Sequence, residues 1–215
     1  MKSGKSRYLI EKAEALHAAN IPFLAFKPRQ DTRDGHLIRS RDPRCRHVEA
    51  LSVVHSCEIL PLMAQVGGRA SSPADPTYLA LSSCLPPGAL PAACLIDEVF
   101  LFDAGLLTVL SHLRAAGVLI FLSGLDRDFR REYFPLRDSD QGQSMRDLIG
   151  LADHRIALTA TCERCGAPAA YTQRLVNGQP AHYESPTILI GDEEYQPRCQ
   201  SHHEVLGHPC VSLAG

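Results

Sequence analysis

Three groups of residues have types and spacings that could do chemistry. The first is Gly4-Lys5-Ser6, the back half of a phosphate-binding loop, G-x-x-x-x-G-K-[ST]. Glycine lets backbone N–H groups approach and wrap phosphate oxygens. The lysine adds charge, the Ser hydroxyl takes Mg²⁺, and a following helix points its positive end at the anion. Half a motif also arises by chance. The second group is Asp97-Glu98, which ends the apolar run "ACLI". A carboxylate there can reach Mg²⁺, and an acid beside it can act as general base toward an incoming hydroxyl. Taken singly, the pair reads more simply as a strand ending in solvated acids. With Gly-Lys-Ser in the same chain, phosphate chemistry is the better account. The third group is Cys162-x-x-Cys165 and Cys199-x-x-His202, with 33 residues between the pairs. Each pair suits one knuckle of a tetrahedral zinc site, and four protein ligands make such a site structural rather than catalytic. His203 is an adjacent rival, but the two-residue spacing favours His202. A redox Cys-x-x-Cys beside unrelated histidines is the competing reading.

The elements that must position these groups follow from periodicity. Arg7 to Ala19 carries Leu9, Ile10, Ala13 and Leu16 at helical spacing, closed by Asn20 and Pro22. "PFLAFKP", "AACLIDE", "GVLIFLSG" and "RIALTAT" read as short strands. A helix is expected through Leu106, Leu107, Leu110 and Leu113, and another over Ser144 to Ala152. Residues Arg29 to His47 are polar and read as a loop; Gly67 to Leu90 is dense in Pro, Ser, Gly and Ala and reads as a surface excursion. Strand alternating with helix is the rhythm of a parallel sheet with crossover helices, an α/β fold. That rhythm stops after Cys162, where polar turns and one short strand, "TILI", follow. The expected division is therefore an α/β nucleotide-binding domain over 1–159 and a small zinc-binding domain over 160–215.

Bulk properties narrow the classes. The chain has 215 residues, 45% of them apolar, and a formal net charge of −2. That is enough for one core and a satellite. It gives no electrostatic pull toward nucleic acid or anionic membrane, and neither is expected as a partner. No apolar run reaches the roughly 18 residues of a membrane span. A polar start leading into a helix reads as no secretory signal, so the expected compartment is cytoplasmic. Of eight cysteines, Cys45, Cys57, Cys84 and Cys94 are scattered, and Cys94 reads as a small buried hydrophobe. Those clustered with histidine favour metal over disulfide in a cytosolic chain.

Several motifs in the right order resemble the thymidine kinase family of the zinc-containing cytosolic type, over nearly the whole chain. "MKSGKS" is similar to its G-P-M-[FY]-S-G-K-[ST], "FKPRQDTR" to its strand and D-x-R, and "IDEVFLF" to D-E-x-Q-F-F. "GLDRDFR" matches G-L-D-x-D-F-R, and "CERCGAPAAYTQRLVNG" and "EEYQPRCQSHHEV" resemble its zinc knuckles and lasso ends. The resemblance implies a phosphate-loop α/β domain of the P-loop NTPase kind followed by a zinc-held lasso domain. It implies transfer of the ATP γ-phosphoryl to the 5′-hydroxyl of thymidine, and a homotetramer. It places Ser3, Gly4, Lys5 and Ser6 on the phosphates and Mg²⁺, Asp97 on the metal, Glu98 as base, and Asp31 and Arg33 near the transferring phosphate. Met1, Leu101, Leu125, Phe129, Phe134, Thr172, Ile188 and Tyr195 would line the thymidine pocket.

The chain departs from the family pattern in places. Phe100 and Leu101 stand where the family has Gln and Phe, Lys2 replaces an aromatic, and "RREYF" replaces G-x-P-F. The first glycine of the phosphate loop falls two residues before Met1. The loop is therefore expected to lack its front and the sheet its first strand, through a late start or a truncated gene. Two other readings compete with an active kinase. One is a catalytically weak family member that still binds nucleotide; the other is a zinc-ribbon interaction module, which lacks a basic stripe with interleaved aromatics.

Overall fold

The computed structural model describes residues 2–42, 44–65, 78–79, 90–187 and 195–209. The expectations for Met1, Cys84, Ile188 and most of the Gly67–Leu90 excursion and of "TILI" lie outside the described residues. The chain divides into two compact units, one of Gly4–Gly124 and Pro135–Leu151, the other of Met1–Ser3, Leu125–Phe134 and Ala152–Gly215.

The larger unit begins with helix α1 (Lys5–Ala18), whose buried residues Leu9, Ile10, Ala13 and Leu16 form one stripe. It ends where Asn20 turns left-handed at φ 54°. The Ile21 N–H then donates to Leu16 O, and the Asn20 N–H to His17 O, so the freed carbonyls are satisfied. Strand β1 (Phe23–Pro28) follows, buried along its whole length. Then come β2 (Leu37–Ile38), β3 (His47–Glu49), β4 (Leu51–Val53), α2 (Ile59–Gln65), β5 (Tyr78–Leu79) and β6 (Ala93–Ile96). Helix α3 (Leu106–Ala115), strand β7 (Leu119–Leu122) and helix α4 (Met145–Gly150) complete the unit.

The main sheet is parallel throughout, in the order β4-β1-β6-β7. Parallel strands covered on both faces need continuous apolar runs, which "FLAF" and "ACLI" supply. Alternation puts Phe23, Ala25, Ala93 and Leu95 in one cluster with the α1 stripe. Leu24, Phe26, Cys94 and Ile96 point to the opposite face. Burial pushes the Cys94 thiol up, which keeps it an inert small hydrophobe. The register sets Phe26 beside Ile96, so the carboxyl ends of β1 and β6 finish side by side. Within the polar stretch read as a loop, β2 pairs antiparallel with β3. None of the described helices is long and apolar enough to cross a membrane.

The smaller unit is built from short antiparallel pieces. Strands β8 (Ala160–Thr161) and β9 (Pro168–Ala169) form one ladder. Strands β10 (Tyr171–Val176), β11 (Gln179–Pro180) and β12 (Tyr195–Arg198) form a sheet in the order β11-β10-β12. Asn177-Gly178, both at positive φ, make the tight hairpin turn between β10 and β11. "RIALTAT" departs from its expected strand. Only Ala160–Thr161 is strand, and the residues before it are irregular and exposed, with Ile156 at 56% exposure. An apolar run becomes a strand only where a neighbour supplies the ladder, and no described strand pairs with residues 155–159.

Candidate active site and metal centre

In the larger unit, Gly4 takes φ 83° immediately before α1, a left-handed conformation that suits glycine. Lys5 and Ser6 open the helix, and the first turn holds no acid that would offset its positive end. Asp97 and Glu98 follow β6. Asp97 is buried, and its Oδ1 accepts the Ser123 hydroxyl at 2.7 Å and the Glu98 N–H at 3.0 Å. Burial pushes the Asp97 carboxyl up, with Glu98 adding to the shift; the Ser123 bond and the charge of Lys5 act against it. Glu98 itself sits at φ 47°, rare for a residue with a side chain.

Four charged groups then form a chain. Lys27 is 2% exposed, and its Nζ lies 3.2 Å from Asp31 Oδ2. Arg33 Nε donates to Asp31 Oδ1 at 2.7 Å, and Arg33 Nη2 to Glu98 Oε1 at 2.8 Å. Burial alone would raise the Asp31 carboxyl; the hydrogen bond and charge of Arg33, with Lys27, win and hold it low. Burial likewise works against the Arg33 cation, and its bonds to Asp31 and Glu98 more than offset this, so Arg33 stays charged. Glu98 Oε2 is buried, and no described group donates to it.

In the smaller unit, Cys162 and Cys165 lie in the turn between β8 and β9. Gly166, at φ 75°, lets its N–H return to Cys162 O at 2.9 Å. Cys199 and His202 lie in the short turn after β12, with the His202 N–H on Cys199 O at 3.1 Å. The four ligand atoms lie within 4.8 Å of one another. Cys165 Sγ is 3.7 Å from Cys199 Sγ, and His202 Nδ1 is 3.4 Å from Cys199 Sγ and 3.8 Å from Cys162 Sγ. Tetrahedral zinc with bonds of about 2.3 Å to sulfur and about 2.0 Å to nitrogen sets such edges at about 3.5–3.8 Å. The residues therefore fit the metal. Burial would push the Cys162 thiol up, but backbone N–H groups of Cys199, Arg164 and Cys165 outweigh it and draw it down to about 5, favouring the ligating thiolate. All described cysteines are free thiols. The rival His203 is used elsewhere: Arg131 Nε donates to its Nδ1 at 3.1 Å, and its Nε2 lies 3.2 Å from Thr172 O.

Known proteins similar to this chain share one family. A family model described as thymidine kinase matches residues 90–203. The thymidine kinase of Mycoplasmoides gallisepticum is 35% identical over 211 residues, covering 97% of this chain and 80% of that protein. The thymidine kinase of Deinococcus deserti is 35% identical over 206 residues, covering 95% of this chain and 91% of that protein. The chain belongs to the thymidine kinase family. Its class is that of a kinase, a phosphotransferase.

The thymidine kinase residues expected to line a pocket divide between the units. Leu101, in a short turn after Glu98, is 4% exposed and packed in the core of the larger unit. Leu125, Phe129, Phe134, Thr172 and Tyr195 belong to the smaller unit. Phe129 and Phe134 are buried, Thr172 lies on β10, and Tyr195 begins β12 opposite Arg174. Arg130 lies over the Phe129 ring at 4.6 Å. Sequence reasoning missed Lys27, Ser123 and Arg130. Lys27 carried one signal, a lone cation in an apolar strand four residues before Asp31. Arg130 carried another, as the last residue of the family-like motif "GLDRDFR", and Ser123 carried none.

Proposed function

We propose that this protein is an ATP-dependent thymidine kinase that transfers the γ-phosphoryl group of ATP to the 5′-hydroxyl of thymidine, giving dTMP for DNA synthesis. The observation that carries the reading is Glu98. Its Oε1 is held by Arg33, while its buried Oε2 has no described donor. A fixed carboxylate with one free lone-pair face is what a general base for a hydroxyl requires.

The residues divide the work. The backbone at Gly4, the charge of Lys5 and the Ser6 hydroxyl bind phosphate oxygens at the start of α1, with Ser3 beside them. Ser6 and Asp97 would hold Mg²⁺, which would neutralise phosphate charge when bound; Asp31 holds Arg33, which in turn holds Glu98, and is read as lying near the transferring phosphate. Glu98 Oε2 takes the proton of the 5′-hydroxyl as the new O–P bond forms and the bond to the β-phosphate oxygen breaks, releasing ADP. Arg33 orients Glu98 and presents positive charge to the transferring group. Phosphoryl transfer asks mainly for such positioning and charge.

Leu101, Leu125, Phe129, Phe134, Thr172 and Tyr195, with Met1 and Ile188, are read as the thymidine contacts. Cys162, Cys165, Cys199 and His202 hold a structural Zn²⁺. Residues 1–159 are read as the nucleotide-binding domain and 160–215 as the zinc-held lasso domain, in a cytoplasmic homotetramer. The test is phosphorylation of thymidine by the purified 215-residue protein with ATP and Mg²⁺. Production of dTMP that disappears in Glu98→Gln supports the reading. ATP binding without dTMP would instead indicate a non-catalytic family member.

A further inference from the structure

Residues 125–134 carry Phe129 and Phe134 on a tight turn. The turn is closed by Asp128. Its N–H donates to Glu132 O at 2.8 Å, and its carboxylate accepts the N–H groups of Arg130 and Glu132 at 2.8 and 3.1 Å. Next to this closure Arg131 takes φ 73°. Glycine enters that region freely, whereas a residue with a Cβ does so at a cost. The Arg131 side chain makes contacts that glycine cannot. Its guanidinium lies 4.3 Å over the Tyr171 ring. Its Nε donates to His203 Nδ1 at 3.1 Å, and its Nη2 to His203 O at 3.4 Å. His203 Nε2 faces Thr172 O at 3.2 Å, so Nε2 carries the ring proton and Nδ1 is left as the acceptor Arg131 needs.

We propose that Arg131 is a positioning residue for the nucleoside. It clasps the turn bearing Phe129 to the His203–Thr172 pair, and so fixes the spacing between an aromatic contact on the turn and a polar contact on β10. From this left-handed position the guanidinium reaches both the ring and the carbonyl of His203. A second tie supports this geometry, since the Tyr183 hydroxyl donates to Glu132 Oε1 at 2.5 Å. Arg130 holds the neighbouring backbone through the carbonyls of Tyr183 and Ser185 and the Thr187 hydroxyl. Arg131 joins the turn to β10 through His203, whose ring also meets the Phe129 backbone. Its effect on the KM for thymidine rests on the thymidine kinase reading above; its effect on the turn does not.

The test compares the parent with Arg131→Gly, which suits the backbone and removes the side chain. The readouts are steady-state kinetics, zinc content, and amide hydrogen exchange over residues 126–134. The expected result is a rise of about tenfold or more in KM for thymidine, the size of losing a charge-assisted hydrogen bond. KM for ATP and kcat should stay within about twofold, zinc content should be unchanged, and exchange in the turn should be faster. An unchanged thymidine KM, or an equal loss in kcat and in KM for ATP, overturns the proposal. If the parent makes no dTMP, the functional reading fails. The exchange comparison still decides the clasp, and parental protection in Arg131→Gly would overturn it.

Discussion

Arg33 Nη2 donates to Glu98 Oε1 at 2.8 Å, and the partner oxygen of the same carboxylate, Oε2, is buried with no described donor. One oxygen is thus fixed and the other is left for a hydroxyl. Glu98→Gln keeps the shape and removes the basicity. Turnover should fall by about 10²–10⁴-fold, with ATP and thymidine still bound. Rapid-quench measurement of the chemical step checks this, and near-parental turnover would reduce Glu98 to a structural partner of Arg33.

Asp31 sits between Arg33 and Lys27, and Lys27 is 2% exposed. Asp31→Ala leaves that ammonium buried and uncompensated. Removing one partner of a buried pair costs about 3–5 kcal/mol. Urea unfolding of the variant should show a loss of that order. The double variant Asp31→Ala/Lys27→Met should recover much of it, because the buried charge is gone.

The zinc ligands should matter for one unit and not the other. Metal analysis of the parent should give one zinc per chain. Cys165→Ala should lose it, since apparent binding energies of structural zinc are about 10–16 kcal/mol and depend on the full ligand set. The helices α1 to α4 all lie in the larger unit. Far-ultraviolet circular dichroism of the variant should therefore keep its helical signal while thymidine binding is lost. Full zinc occupancy in Cys165→Ala would remove that residue from the ligand set.

Asp103 gives the fold an acid-side limit. Burial works to raise its carboxyl, but the Ser56 hydroxyl and the backbone N–H groups of Ser56 and Gly105 prevail and lower it. A carboxyl whose folded value lies below its unfolded value, about 3.9, adds stability that is fully present above that value. The contribution fades as pH falls below about 4 toward the folded value. Asp103→Asn should therefore cost about 1–3 kcal/mol near neutrality and show a flatter acid limb. Thermal melts at stepped pH test the sign; equal slopes in parent and variant would exclude Asp103 as the source.

The sequence by itself determined what depends on local spacing. Gly4 at the mouth of a helix, the acids ending an apolar strand, and two Cys/His pairs with the reach of a zinc knuckle are properties of neighbouring residues. So are the helices, whose stripes and caps lie within a few turns of chain. Tertiary structure alone decided the rest. Whether "RIALTAT" is a strand depends on a neighbour that the run does not encode. His202 and His203 are adjacent in sequence, and only the fold turns one toward the cysteines and the other toward Arg131 and Thr172. Arg33 and Glu98 meet because β1 and β6 pair in parallel and end side by side. The upward push on the Asp97 carboxyl, and the contest between burial and Arg33 at Asp31, exist only once the sheet and its helices have excluded water.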